Sequence, residues 1–192
     1  LDFTDAAEDA SGAGYTWDNA NKTLTLEGLS LDVTSGAAIT LPGGSKVVLK
    51  GGKNTIATAA GSILVSQGSL TVTGEGEGAA LVGTSNGKSD AYHGIQTNGG
   101  NLTISGCSLN LGITPDFVSE VITTAEYNES GKGLDKGGDF LLTNGAYVYA
   151  HDENFRCWGL CTGEYGVYGD YRNDCGDIQI DEGCTLTVRG VQ

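Results

Sequence analysis

NGGNLTISGCSLNL (Asn98–Leu111) and KGGDFLLTNGAYVY (Lys136–Tyr149) share only their paired glycines position by position, yet they share a pattern. Each runs from a Gly-Gly turn into an apolar-any-apolar triplet, then through a second turn into another alternating segment. Alternation with period two is the signature of a strand with one buried face. The same triplet recurs as Leu24-Thr25-Leu26, Val47-Val48-Leu49, Leu70-Thr71-Val72, Leu102-Thr103-Ile104, Phe140-Leu141-Leu142 and Ile178-Gln179-Ile180. LSLDV, KNTIA, AALVG, SLNLG, AYVYA and TLTVR follow as second strands, and a further apolar pair precedes several triplets: Ala38-Ile39, Ile63 with Val65, Gly94-Ile95, Gly133-Leu134 and Gly159-Leu160.

A unit of three short strands cannot bury its inner face alone, but stacking on like units at about 4.8 Å supplies hydrogen bonds and a continuous core. The pattern therefore predicts an all-β protein: a right-handed parallel β-helix, or solenoid, of about six short coils in one domain spanning residues 1–192. Inward positions are expected at Leu24, Leu26, Val47, Leu49, Leu70, Val72, Leu102, Ile104, Phe140, Leu142, Ile178 and Ile180. Thr25, Thr71, Thr103 and Gln179 are expected outward. A β-sandwich also yields many short strands, but it does not explain one turn-strand-turn order repeated throughout.

The triplets start at 24, 47, 70, 102, 140 and 178, so later units carry extra residues that must leave the coil. Two insertions are expected in the C-terminal half, at 113–132 and 151–176. The first holds TPDFVSEVITTAE, where Thr114 could cap and Pro115 open a short helix with Phe117, Val121 and Ile122 on one side. The second, HDENFRCWGLCTGEYGVYGDYRNDCG (His151–Gly176), is rich in rings, acids and cysteines. Residues 1–18, with Phe3, Tyr15 and Trp17, are expected to cap the first coil. Only Gly190-Val191-Gln192 follow the last strand, so an adjoining domain or a partner is expected at that end.

Composition narrows the function. The 192-residue chain has 39% hydrophobic residues, enough for one sizeable core, and its 32 glycines against 2 prolines read as turn residues. A formal charge of −14 and a pI near 4.2 leave no basic footprint for nucleic acid or anionic membrane. The acidity lies in the second half, with fourteen acids against four bases over Gly112–Cys184. No apolar run is long enough to span a bilayer, so membrane insertion is not expected. The absence of Met suggests a processed piece of an exported protein.

The residues that could carry chemistry are few. Asn101, Asp139 and Asp177 share the place before the inner triplet, which stacks oxygens on successive coils; they could hold Ca²⁺ or serve as turn residues. His151-Asp152-Glu153 could add to a metal site or form a solvated turn, and His93 is the other histidine. No nucleophile-base motif or phosphate loop is legible. The spacing of Cys157, Cys161, Cys175 and Cys184 misses the close pairs of a zinc site, which makes disulfides across the second insertion the expectation; Cys107 is expected to be a free, buried thiol.

The densest signal is aromatic: Tyr147, Tyr149, Phe155, Trp158, Tyr165, Tyr168 and Tyr171, with Arg156, Arg172, Asp170, Asn173 and Asp174 among them. Sugars stack their C–H faces on such rings while polar neighbours bond hydroxyls. The same rings could pack on their own loop or meet a protein partner.

GYTWDNANKTLTLEGLSL, ITLPGGSKVVLKGGKNTI and GSLTVTGEGEGAALVG resemble the repeat region of β-helical surface proteins of gut-type Gram-positive bacteria, over about Gly14–Leu111. That resemblance rests on the W-[ST]-[WY]-D type opening, the K-T-L-T-L strand and glycine-led L-T-[IV] rungs. It implies a bacterial cell-surface, extracellular location and an adhesin or carbohydrate-binding role, with no particular reaction. The expectation is thus a non-catalytic binding or adhesion module for a polysaccharide, with a host or cell-surface protein as second choice. No cofactor is required, though calcium could bind. The alternatives are a Ca²⁺-dependent polysaccharide lyase or hydrolase, which only three arginines (Arg156, Arg172, Arg189) and no evident base support poorly, and a passive spacer.

Overall fold

The computed structural model describes residues 1–87, 92–114, 119–127, 133–152, 157–162 and 176–189. It is all β. An antiparallel hairpin, β1 (Ala10–Gly12) and β2 (Tyr15–Asp18), leads into rungs of three strands each. The first rung is β3 (Thr23–Glu27), β4 (Ser30–Val33) and β5 (Ile39–Leu41); the second is β6 (Ser45–Lys50), β7 (Lys53–Thr58) and β8 (Leu64–Ser66). The third is β9 (Leu70–Glu75), β10 (Ala80–Ser85) and β11 (Ile95–Gln96); the fourth is β12 (Leu102–Ser105), β13 (Ser108–Ile113) and β14 (Ser119–Thr123). After a second hairpin, β15 (Ala125–Tyr127) and β16 (Gly133–Gly137), come β17 (Phe140–Thr143), β18 (Tyr147–Asp152) and β19 (Cys157–Cys161), and finally β20 (Ile178–Ile180) and β21 (Thr185–Arg189).

Each rung contributes one strand to each of three sheets. Sheet I runs β1-β2-β3-β6-β9-β12-β17-β20, sheet II β4-β7-β10-β13-β18-β21 and sheet III β5-β8-β11-β14-β19. From β3 onward every ladder in these sheets is parallel, with only β1 and β2 joining antiparallel. The inner residues of all three sheets belong to one buried apolar cluster, in which Leu24, Leu49, Ile63, Leu102, Leu109, Ile122 and Leu142 are fully covered. Each such side chain contributes roughly 1.5–3 kcal/mol of burial. Polar groups inside the cluster are paired: Asn54 accepts from Leu29 N–H at 2.9 Å and donates to Ala80 C=O at 3.2 Å, tying three rungs together.

The corner before sheet I explains the Gly-Gly signature. Gly68, Gly100, Gly138 and Gly176 recur there, and a Cβ at Gly138 would lie 2.2 Å from the carbonyl carbon of Gly100. The rungs approach backbone to backbone at this corner, and only glycine fits. The next residue along is Ser69, Asn101, Asp139 or Asp177, and the first three use their side chains to bridge to the following rung. Asn101 N–H donates to Ser69 Oγ at 3.1 Å, Asp139 N–H to Asn101 Oδ1 at 2.9 Å, and Asp177 N–H to Asp139 Oδ1 at 2.9 Å.

Leu1–Asp18 covers the first rung. Leu1 N donates to Ala38 C=O at 2.7 Å and Phe3 N–H to Thr40 C=O at 2.9 Å, so this segment lines the free edge of β5. Phe3 stacks on Trp17 with ring centroids 4.8 Å apart, and both are buried.

Several expectations are corrected. Val47 pairs with Val72 rather than Leu70, while Leu70 pairs with Ser45 and Leu102. That slip of two residues leaves the same side chains inward, because side-chain direction has period two. Ile178 and Ile180 are 52% and 46% exposed because no described rung lies over them. Ser119–Thr123 is a strand where a helix was expected. Val121 and Ile122 are buried, and Ile122 pairs with Ile95. The apolar pair of that rung is therefore Val121-Ile122, and Gly133-Leu134 belongs to the β15–β16 hairpin instead. Both insertions accordingly contain the third strand of a rung, β14 in 113–132 and β19 in 151–176.

Cys107 is a buried free thiol, and burial pushes its pKa up to about 12. Cys184 is also a free thiol, against the expectation of a disulfide. It occupies the small-residue corner of Ala79, Cys107 and Ala146, directed at the core rather than at the second insertion. Two rungs separate it from Cys107, roughly 9–10 Å and beyond disulfide reach. The Cys157 side chain and Cys175 lie outside the described residues. No helix among the described residues is long and apolar enough to cross a membrane.

Candidate functional site

On β18 the alternation Tyr147-Val148-Tyr149-Ala150-His151 turns Val148 and Ala150 into the core and sets three rings on the outer face of sheet II. Tyr147 is 43% exposed, the most open aromatic among the described residues. Tyr149 and His151 are half-buried. Alternate residues on a strand stand about 6.7 Å apart. The Tyr149 and His151 rings nevertheless lie 4.9 Å apart at 25°, so they lean together and stack. One face of each is thus occupied by the other.

The neighbouring strands complete the surface. Below, Ser108, Asn110 and Gly112 of β13 pair with Tyr147, Tyr149 and His151. Above, Thr185, Thr187 and Arg189 of β21 pair with the same three residues. His151 Nε2 lies 3.1 Å from Asn110 Oδ1, within hydrogen-bond distance. Gly112 makes room for the imidazole, since a Cβ there would stand 2.6 Å from His151 Cε1. The result is a row of three rings about 13 Å long, edged by one amide and one hydroxyl on one side and by two hydroxyls and the exposed Arg189 on the other.

Of the residues singled out in the sequence, Tyr147 and Tyr149 come together here. Trp158 lies on β19 in sheet III, apart from them, and nothing is described of its side chain. Arg156, Tyr165, Tyr168, Tyr171 and Arg172 lie outside the described residues. Asn101, Asp139 and Asp177 do stack at one corner, all exposed. The Asn101 oxygen and one Asp139 oxygen there accept backbone N–H groups, and Asn101 Nδ2 lies 3.5 Å from the other Asp139 oxygen. Among the described residues no group of three or more His, Cys, Asp or Glu is placed to hold a metal ion.

Sequence reading missed Asn110, His151 and Arg189 as members of one surface. The signal was the 38-residue offset between the last two rungs, which sets Arg189 over His151.

His93 lies elsewhere, buried between rungs of sheet III, with Nδ1 donating to Glu120 C=O at 3.0 Å. Burial pushes its pKa down to about 4, partly opposed by that hydrogen bond. The imidazole is neutral near pH 7, and the Glu120 carboxylate at 3.6 Å is not its ion-pair partner there. Two depressions beside the β1–β2 hairpin, about 360 and 200 Å³, are shallow. The larger holds the carboxylates of Asp9 and Asp18, which already accept from Asn19 and Asn21 N–H, and the smaller holds Glu27.

No family model, curated protein or solved structure matches the chain.

Proposed function

We propose that this chain is a non-catalytic binding module of a bacterial cell-surface protein, a right-handed parallel β-helix that engages polysaccharide on the outer face of sheet II. The observation that carries this reading is the ring row Tyr147, Tyr149 and His151 set between Asn110 on one rung and Arg189 on the next. Sugar C–H faces pack against an exposed ring, and the flanking amide, hydroxyls and guanidinium bond ring substituents. Tyr147 offers the open stacking surface, whereas the Tyr149–His151 pair presents edges and polar atoms. The parallel ladders of all three sheets and their shared core support the solenoid.

A glycan array probed with and without calcium tests this. Binding that falls at least tenfold in Tyr147→Ala supports it. Absence of any glycan hit overturns it, and cleavage of a uronate polysaccharide in calcium would establish the lyase reading in its place.

A further inference from the structure

In sheets I and II the last rung repeats the strands beneath it, but its upper side is bare among the described residues. Phe140, Leu142 and Ala150 in the rung below are at most 1% exposed. Their counterparts Ile178, Ile180 and Val188 are 52%, 46% and 46% exposed. Hydrogen-bonding groups stop at the same level. Leu70 N–H donates to Asn101 C=O, Leu102 N–H to Asp139 C=O and Phe140 N–H to Asp177 C=O, each at 2.8 Å. Ile178 N–H is next in that series. Ser69, Asn101 and Asp139 each accept the corner N–H of the following rung, and Asp177 repeats their chemistry at the top. In sheet II, Tyr147 N–H donates to Cys107 C=O and Thr185 N–H to Ala146 C=O, which leaves Cys184 C=O as the next acceptor.

Natural sheet edges are blunted by proline, inward charge or cover. β20 and β21 carry neither proline nor an inward charge, while the opposite end is covered by β2 on β3 and by Leu1–Phe3 on β5. A second copy stacked head to tail would meet β2 and Leu1–Phe3 where its β3 and β5 would have to pair, leaving β4 alone of the three strands to receive it. Tail to tail it would run antiparallel and set Asp177 against Asp181, on molecules of net charge −14.

We infer that the β20–β21 edge is a docking surface for a strand-turn-strand polypeptide segment bearing this chain's own repeat. The segment runs parallel and continues the rung-on-rung interface. Its corner N–H meets the Asp177 carboxylate, its next carbonyl series accepts from Ile178 N–H, and its apolar-any-apolar residues cover Ile178 with Ile180 and Leu186 with Val188.

The probe is a synthetic peptide of the fifth rung, GDFLLTNGAYVYAHD (Gly138–Asp152), added to the whole 192-residue protein. Saturable shifts of the Ile178, Ile180 and Val188 methyl resonances are expected. Amide exchange at Ile178 should slow at least tenfold, and neither effect should appear with a scrambled peptide or with the Ile180→Asp protein. Ile180 is exposed, so that variant folds normally, as its circular dichroism will verify. The proposal is overturned if the peptide leaves Ile178 exchange unchanged, if the scrambled peptide acts equally, or if sedimentation shows the protein pairing with itself through this edge.

Discussion

Gly112 lies directly beneath His151, one rung below on the outer face of sheet II, and its missing side chain is what lets the imidazole rest against the strand. Gly112→Ala should therefore dislodge His151 from Asn110 and from the Tyr149 stack. The displaced atoms end a side chain rather than belonging to backbone, so stability should change by less than about 1 kcal/mol. The His151 ring-proton resonances should shift, and glycan binding, where found, should fall as far as in His151→Ala. Unchanged His151 resonances would show that the glycine does not set the ring.

Gly138→Ala should be far more damaging. Its Cβ would meet the backbone of Gly100 at 2.2 Å, and neither rung can yield without breaking its ladder. A loss of about 3 kcal/mol or more is expected in urea melts. Gly145→Ala is the control: its Cβ meets nothing within 4 Å, and only its φ of 69° penalises it, by about 1–2 kcal/mol.

Asp139 separates bridging of rungs from cation binding. Its Oδ1 accepts Asp177 N–H, a task an amide oxygen also performs, as Asn101 does one rung below. Asp139→Asn should stay within about 0.5 kcal/mol of the parent, while Asp139→Ala should lose about 0.5–1.5 kcal/mol. A calcium-dependent melting temperature in the parent, lost in Asp139→Asn, would instead assign the stack to a cation.

His93 predicts an acid-side weakness. Its folded pKa, about 4, lies below the unfolded value near 6.5, so the unfolded chain binds the extra proton between them. Stability from this group is complete above pH 6.5 and is lost as pH falls toward 4, by roughly 3 kcal/mol in all. Urea melts at pH 7 and pH 4.5 should show a drop that is on the order of 2–3 kcal/mol smaller in His93→Gln. Equal drops would mean the imidazole is solvated after all.

How much was legible follows from what repeats. The triplets were readable because each rung restates them, the glycine corner because most rungs do, and the one register slip, Val47 against Val72, was harmless to facing. β14 was hidden because its rung carries added residues, whereas β19 was signalled by the pair Gly159-Leu160, whose Leu160 pairs with Ile122. In TPDFVSEVITTAE the adjacent pair Val121-Ile122 fits a helix face and a buried strand equally well, and only pairing with Ile95 selects the strand. Tyr147 and Tyr149 were legible as rings. Their grouping with His151, Asn110 and Arg189, and their separation from Trp158, were not.

The sequence by itself determined the all-β character, the parallel stacking and the side of each strand that faces inward, because period-two alternation and glycine at close approaches are local properties. Only the tertiary structure decided which residues meet across rungs. Asn110, His151 and Arg189 are separated by 41 and 38 residues along the chain, yet they lie at neighbouring strand positions. Their juxtaposition exists only once the ladders have set the register. The ladders likewise turned the Asn101, Asp139 and Asp177 stack into acceptors for backbone N–H, a role that spacing alone leaves equal to that of a cation site.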